Sequence, residues 1–91
     1  MPYKVIIMPE AARDLQRLAL NEPKAFAKAG TFMKELEEHP KTGTGHPEPL
    51  KGKPENRWSR RITQKHRLVY RIFETEVYVD VLSAYGHYEN M

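Results

Sequence analysis

Between His39 and Asn56 the chain carries Pro40, Gly43, Gly45, Pro47, Pro49, Gly52 and Pro54. Proline fixes φ and removes a donor, and glycine releases φ, so no helix or central strand runs through such a stretch. The connection divides the chain into halves with different periodicities. Before it, apolar residues recur at helical spacing; after it, they alternate as in strands. A connection this long in a compact domain marks either function or disorder.

The first half opens with Tyr3–Met8, a β-branched run that reads as a buried strand. Pro9 and Glu10 then start a helix, with Ala11, Leu15 and Leu18 on one face. Asn21 is the expected cap of a second helix that ends before Pro40. Its apolar stripe is expected to be Phe26, Ala29, Met33 and Leu36, with Gly30 marking close approach to the first helix. Three strands follow, at Arg57–Thr63, Arg67–Phe73 and Glu76–Tyr85. The order is β-α-α-β-β-β. It predicts an α+β fold in which a helical hairpin packs on a largely antiparallel four-stranded sheet. The 91 residues suit one domain, spanning 1–91.

Composition removes several function classes. The chain has no cysteine, which excludes disulfides, thiolate catalysis and cysteine-based zinc sites. His39, His46 and His66 lack metal-ligand spacing, so no metal and no cofactor are expected. The N-terminus has no leader-like apolar run and no stretch is long enough to span a bilayer, which gives the expectation of a cytoplasmic protein with no membrane partner.

The formal net charge of +3 hides a strong asymmetry. Residues 48–71 hold Lys51, Lys53, Arg57, Arg60, Arg61, Lys65, Arg67 and Arg71 against only Glu48 and Glu55, and no Lys or Arg follows Arg71. A block of this kind favours a polyanion. Strand alternation sorts it. His66, Leu68, Tyr70 and Ile72 share the face expected to meet the helices, with Trp58 and Ile62, and with Val77, Val79 and Val81. Arg61 and Arg67 then project from the opposite, open face. Arg60 shares parity with the core and must escape at an edge or pair with an acid. Like charges side by side are unfavourable, so the open-face pair suggests a bound anion.

These residue types can cleave RNA without a metal. A base removes the 2′-hydroxyl proton, the oxygen attacks the adjacent phosphorus, and an acid protonates the departing 5′-oxygen. Glu48 is the candidate base and His87 the candidate acid. Arg67 and Arg61 suit the phosphate through the guanidinium fork. Tyr85, Tyr88 or Trp58 could stack on a base. Each has an ordinary alternative: a solvated loop glutamate, an exposed terminal histidine, a packed aromatic.

The stretch GHPEPLKGKPENRWSRRITQKHRLVYRI, residues 45–72, with HY at 87–88, resembles the YoeB (Txe/YoeB) family of the RelE/ParE toxin–antitoxin superfamily. The resemblance implies a RelE-like fold and a ribosome-dependent mRNA interferase that cuts mRNA in the ribosomal A site. It implies Glu48 as general base, His87 as general acid and Arg67 as the phosphate-stabilising arginine. Lys51 and Arg61 match supporting basic positions, and Tyr88 the aromatic beside the histidine. With these, Lys53, Lys65 and Tyr85 complete the expected contacts to RNA or ribosome. The implied partners are mRNA, rRNA and an acidic, YefM-like antitoxin, with a homodimer left open. The chain departs from the family in Tyr85-Gly86, where an arginine and a tyrosine are usual, and in the extension Glu89-Asn90-Met91. Two other readings compete: a ParE-like inhibitor of DNA gyrase on the same scaffold, and a non-catalytic module that binds RNA or protein. The first does not need the Glu48/Arg67/His87 combination; the second predicts that Glu48→Ala leaves growth inhibition intact.

Overall fold

A computed structural model describes residues 2–52 and 56–86. Lys53, His87 and Tyr88, singled out above, lie outside the described residues. The elements run β1 (Lys4–Ile7), α1 (Pro9–Asn21), α2 (Pro23–Leu36), β2 (Glu48–Pro49), β3 (Arg57–Arg61), β4 (Arg67–Phe73) and β5 (Tyr78–Ser83). The strands form one sheet in the order β1-β5-β4-β3-β2. β1 runs parallel to β5, and the remaining pairs are antiparallel.

The sheet therefore has five strands rather than the four expected. The addition is the two-residue strand β2, inside the proline- and glycine-rich connection. Glu48 pairs with Ser59 and Pro49 with Trp58, and Leu50 N–H donates to the Arg57 carbonyl at 2.9 Å. Pro49 is tolerated because β2 is an edge strand, where one side of the ladder needs no donor.

Helix α1 packs as its spacing predicts, with Ala11, Leu15 and Leu18 buried. The stripe of α2 differs from the expected one. Ala25, Ala29, Phe32 and Leu36 are buried, whereas Phe26 is 41% exposed and Met33 is half-buried. The small Ala25 and Ala29 set the phase, and Phe26 falls one residue, or about 100°, outside it. The helix junction is Glu22, not Asn21, which is still helical. Pro23 disfavours a helical conformation in the residue before it, so the break falls at Glu22, with φ −143° and ψ 73°. Gly30 is exposed, and a Cβ built on it meets nothing within 4 Å, so it marks no close approach of α1.

The helical layer covers the sheet face formed by Leu68, Tyr70, Ile72, Val79 and Val81, all fully buried, with Ile62 beside them. Trp58 packs at the margin of this core. Val77 is not part of the inward row; it sits in the β4–β5 turn at φ 60°. A β-bulge interrupts the β4–β5 ladder, so Val69 faces Ser83 while Tyr70 faces Val81. The extra residue flips the parity beyond it. Ser83 joins the open face, and Ala84 becomes the buried residue.

Arg60 resolves its conflict by pairing. Its side chain is fully buried, with Nη1 2.6 Å from the Glu35 carboxylate of α2. The same guanidinium donates to the carbonyls of Thr44 (3.2 Å), His39 (2.6 Å) and Thr42 (2.7 Å), and Nε donates to the Tyr70 hydroxyl at 3.2 Å. Glu35 in turn accepts from Thr44 N–H and Oγ1 at 3.0 and 2.7 Å. Residues 39–44 lack regular structure because their carbonyls close around an internal cation instead of forming a ladder. Gly45 ends this wrap at φ 81°, and a Cβ there would collide with the Phe32 ring. The wrap delivers the chain to β2 and hence places Glu48.

Candidate active site on the open sheet face

The open face is built by alternation along β3 and β4. Arg61 lies opposite Arg67, Ser59 opposite Val69, and Arg57 opposite Arg71. Glu48 extends the Ser59 row by one strand. Three neighbouring strands thus bring together a carboxylate, a hydroxyl and two guanidinium groups that are separated by up to 19 residues in sequence, from Glu48 to Arg67. Arg67 Nη1 lies 3.6 Å from Glu48 Oε2 and 3.4 Å from Ser59 Oγ. The Glu48 side chain is 57% exposed and that of Arg67 only 13%. Arg67 is therefore fixed along the sheet while its carboxylate partner remains open to an arriving ligand.

The predicted residues are not all brought together. Glu48, Arg61 and Arg67 share one face. Lys51 is exposed in the turn that follows β2. Lys65 is exposed in the β3–β4 turn, where Thr63 Oγ1 accepts from its backbone N–H at 3.1 Å. Tyr85 takes a different position. It is half-buried, its ring lies 4.3 Å from that of His66, and the Arg17 guanidinium of α1 sits over it at 3.8 Å.

The face also holds residues that the sequence reading did not select. Arg57 and Arg71 form a second cross-strand arginine pair, roughly 13 Å along β4 from Arg67. Arg71 lies opposite Asp80 on its other side, with its guanidinium 4.5 Å from the Phe73 ring centre. Phe73 stacks on Tyr78 at 4.3 Å. The same alternation that placed Arg61 and Arg67 also placed Arg57 and Arg71, and was the available signal.

The end of the described chain is held by hydrogen bonds at Ala84 and Gly86. Ala84 N–H donates to the buried Asp14 carboxylate of α1 at 2.9 Å. Gly86 N–H donates to His66 Nδ1 at 2.9 Å, and the Gly86 carbonyl accepts from Arg67 N–H at 3.2 Å. His66 Nε2 contacts Glu22 Oε2 at 2.7 Å. Hydrogen bonding to His66 holds the Glu22 carboxyl below the ordinary carboxylate range, helped by the charge of Lys65 and opposed by burial. Bonds from Thr44, then from Arg60, do the same for Glu35. Tyr70 moves the other way: burial raises its phenol, and the Arg60 guanidinium opposes this.

The fold, a helical hairpin on a mixed sheet, is shared with solved proteins that are bacterial toxins. A solved YoeB/ParE toxin from Agrobacterium tumefaciens superposes with a TM-score of 0.85 at 30% identity, covering 93% of this chain and 99% of that one. A YoeB dimer from Staphylococcus aureus gives 0.83 at 28% identity, covering 97% and 100%. Toxin RelK of Mycobacterium tuberculosis is 38% identical over 80 residues, which is 88% of this chain and 92% of that protein. Toxin YoeB of Escherichia coli is 33% identical over 76 residues, 84% and 90% of the two chains. The family model described as YoeB-like toxin of bacterial type II toxin-antitoxin system matches residues 7–88, and the chain belongs to that family. It is a toxin of a type II toxin–antitoxin system.

Proposed function

We propose that this toxin is a ribosome-dependent mRNA interferase, cleaving mRNA in the ribosomal A site. The observation that carries the reading is the placement of Arg67 within 3.6 Å of Glu48, with Arg61 directly opposite Arg67 on the same face. Glu48 accepts the 2′-hydroxyl proton, and the 2′-oxygen attacks the adjacent phosphorus. The bond to the 5′-oxygen breaks, and His87 protonates that oxygen as it leaves. The products are a 2′,3′-cyclic phosphate and a free 5′-hydroxyl. Arg67, supported by Arg61, stabilises the charge that develops on the phosphoryl oxygens. Lys51, Lys53, Lys65, Tyr85 and Tyr88 are assigned to contacts with mRNA or rRNA.

The protein from Staphylococcus aureus has been solved both as a YoeB–YefM complex and as a dimer. We extend the first to this chain: its neutraliser is a YefM-like antitoxin whose acidic segment covers the open face. Self-association as a homodimer is the accompanying expectation.

The test is inducible expression with mapping of mRNA ends, comparing the unmodified protein with Arg67→Ala and His87→Ala. The expected result is A-site cleavage by the unmodified protein and a fall of about 10²–10⁴ in cleavage for each variant. Intact transcripts in cells arrested by the unmodified protein would sink the nuclease reading.

A further inference from the structure

We propose that the far end of the open face is a second RNA subsite. It holds mRNA on the 3′ side of the scissile phosphate, with a base stacked on Tyr78 and a phosphate gripped by Arg57 and Arg71. The proposal rests on the nuclease reading and extends it beyond the residues that touch the reacting atoms. At the centre of the subsite is a stack. The Phe73 ring lies 4.3 Å from that of Tyr78 at an interplanar angle of 13°, and the Arg71 guanidinium sits 4.5 Å from the Phe73 ring centre. Phe73 and Tyr78 are cross-strand partners on β4 and β5, and both are half-buried. They share the parity of Arg71 and so face away from the helices. The ring of Tyr70, used for packing on the other face of β4, is fully buried.

Packing alone does not call for this arrangement. An aromatic pair that only closes the end of a sheet has no need of cations. Yet Arg57 lies opposite Arg71, and Lys4 lies beside Tyr78 on β1. Among the described residues of these two rows the one carboxylate is Asp80, opposite Arg71. Like charges side by side are unfavourable unless an anion comes between them. Val77, immediately before Tyr78, holds φ 60°, a costly conformation for a β-branched residue. Its carbonyl accepts from Lys4 N–H at 3.1 Å, so the turn is held in the form that sets Tyr78 against Phe73. Flat rings flanked by guanidinium groups suit unpaired nucleotides, because every base offers a π-face and every nucleotide a phosphate.

The sheet order gives the polarity. Glu48, the proposed base, serves the 2′-oxygen and therefore stands on the 5′ side of the scissile phosphate. It lies on β2, to one side of Arg67, whereas Tyr78 lies on β5, to the other. Arg71 is roughly 13 Å and Phe73 roughly 20 Å along β4 from Arg67. An extended strand covers that distance in about two or three nucleotides. The subsite thus takes the nucleotides shortly after the cut, with little preference among bases.

Two measurements test it. The first is binding of the purified full-length chain to a fully 2′-O-methylated oligoadenylate of about ten nucleotides, which cannot be cut, read by fluorescence anisotropy over a salt series. Tyr78→Leu is expected to weaken binding at least about fivefold at unchanged salt slope, and Tyr78→Phe to keep it. Arg57→Ala with Arg71→Ala is expected to lower the slope of log affinity against log salt by about 1. Equal binding by the unmodified protein and Tyr78→Leu overturns the stack. If that variant binds RNA normally but associates more slowly with the cognate antitoxin, the cluster serves the protein partner, and the proposal is likewise overturned.

The second measurement uses ribosomes whose mRNA ends at the nucleotide after the scissile phosphate or continues for about six more. With the unmodified protein, the half-saturating ribosome concentration is expected to be at least about fivefold lower for the longer mRNA; in Tyr78→Leu that difference disappears. A loss of affinity in Tyr78→Leu that is equal on both mRNAs gives the stack to rRNA and overturns the assignment to mRNA. If the unmodified protein leaves A-site mRNA intact, the nuclease reading fails and the mRNA assignment with it, while the oligonucleotide binding still decides whether the stack holds RNA.

Discussion

Arg60 and Arg61 are neighbours in sequence, and strand alternation sends them to opposite faces of the sheet. Arg60 is buried under five hydrogen bonds to Glu35, Tyr70 and three carbonyls. Arg61 is exposed beside Arg67. The same side chain thus serves folding at one position and, on the proposed function, anion binding at the next. Removing Arg60 takes the buried cation from Glu35 and its N–H donors from three carbonyls, so Arg60→Ala is expected to destabilise by about 3–5 kcal/mol in urea denaturation. Arg61→Ala should stay within about 0.5 kcal/mol of the unmodified protein and weaken its binding to RNA. Equal destabilisation by the two variants would refute this division. Gly45 makes a second prediction at this scale. Its positive φ and the Phe32 ring both oppose a side chain. Gly45→Ala is expected to cost more than the roughly 1–2 kcal/mol of left-handed strain alone, measured by the same denaturation curves.

The elements are joined by carboxylates as much as by apolar packing. Glu35 ties α2 to the 39–44 wrap and to Arg60, and Glu22 ties the α1–α2 junction to His66. Both carboxyls are held below their ordinary range in the folded protein. A depressed folded value means that the stabilisation is complete above the unfolded carboxylate value. It is lost as pH falls through the folded value. Stability measured by denaturant titration is therefore expected to decline on acidification from about pH 5 downward. Glu35→Gln should be less stable at neutral pH and show a shallower decline; an unchanged slope would remove Glu35 as a source. The sheet alternation was legible in the sequence because Leu68, Tyr70 and Ile72 repeat at two-residue spacing, and from it came Arg61 and Arg67. Strand β2 was not legible. Its two residues carry no periodicity, and its pairing depends on β3 and on a wrap built around Arg60. The stripe of α2 was misphased because Phe26 outweighs Ala25 in hydrophobicity, whereas close packing of a helix on a sheet favours the smaller side chain. The bulge opposite Val69 moved Ser83 outward, a shift that alternation alone cannot locate.

For the molecule as a whole, charge is distributed by face. The eight Lys and Arg between residues 48 and 71 exceed the acids of that segment by six, and Arg57, Arg61, Arg67 and Arg71 all fall on one side of the sheet. The face lies toward the β2 edge, while β1, the other edge strand, carries a groove lined by Val5, Ile7, Gly30, Met33, Lys34 and Glu37. On the proposed function an acidic segment of the antitoxin covers this cationic face, held by long-range attraction as well as by contact. Attraction between exposed charges acts on encounter and is screened by salt. Association of the toxin with its cognate antitoxin is therefore expected to slow at least about tenfold between about 0.05 and about 0.5 M salt, with dissociation changing less. Stopped-flow mixing of the separated chains measures both rates. Arg57→Ala with Arg71→Ala should reduce the salt dependence while leaving the Glu48–Arg67 pair in place, because these two arginines sit roughly 13 Å along the strands from Arg67. Association that ignores salt would mean that the antitoxin grips a surface without net charge, such as the β1 groove, leaving the arginine face to RNA alone.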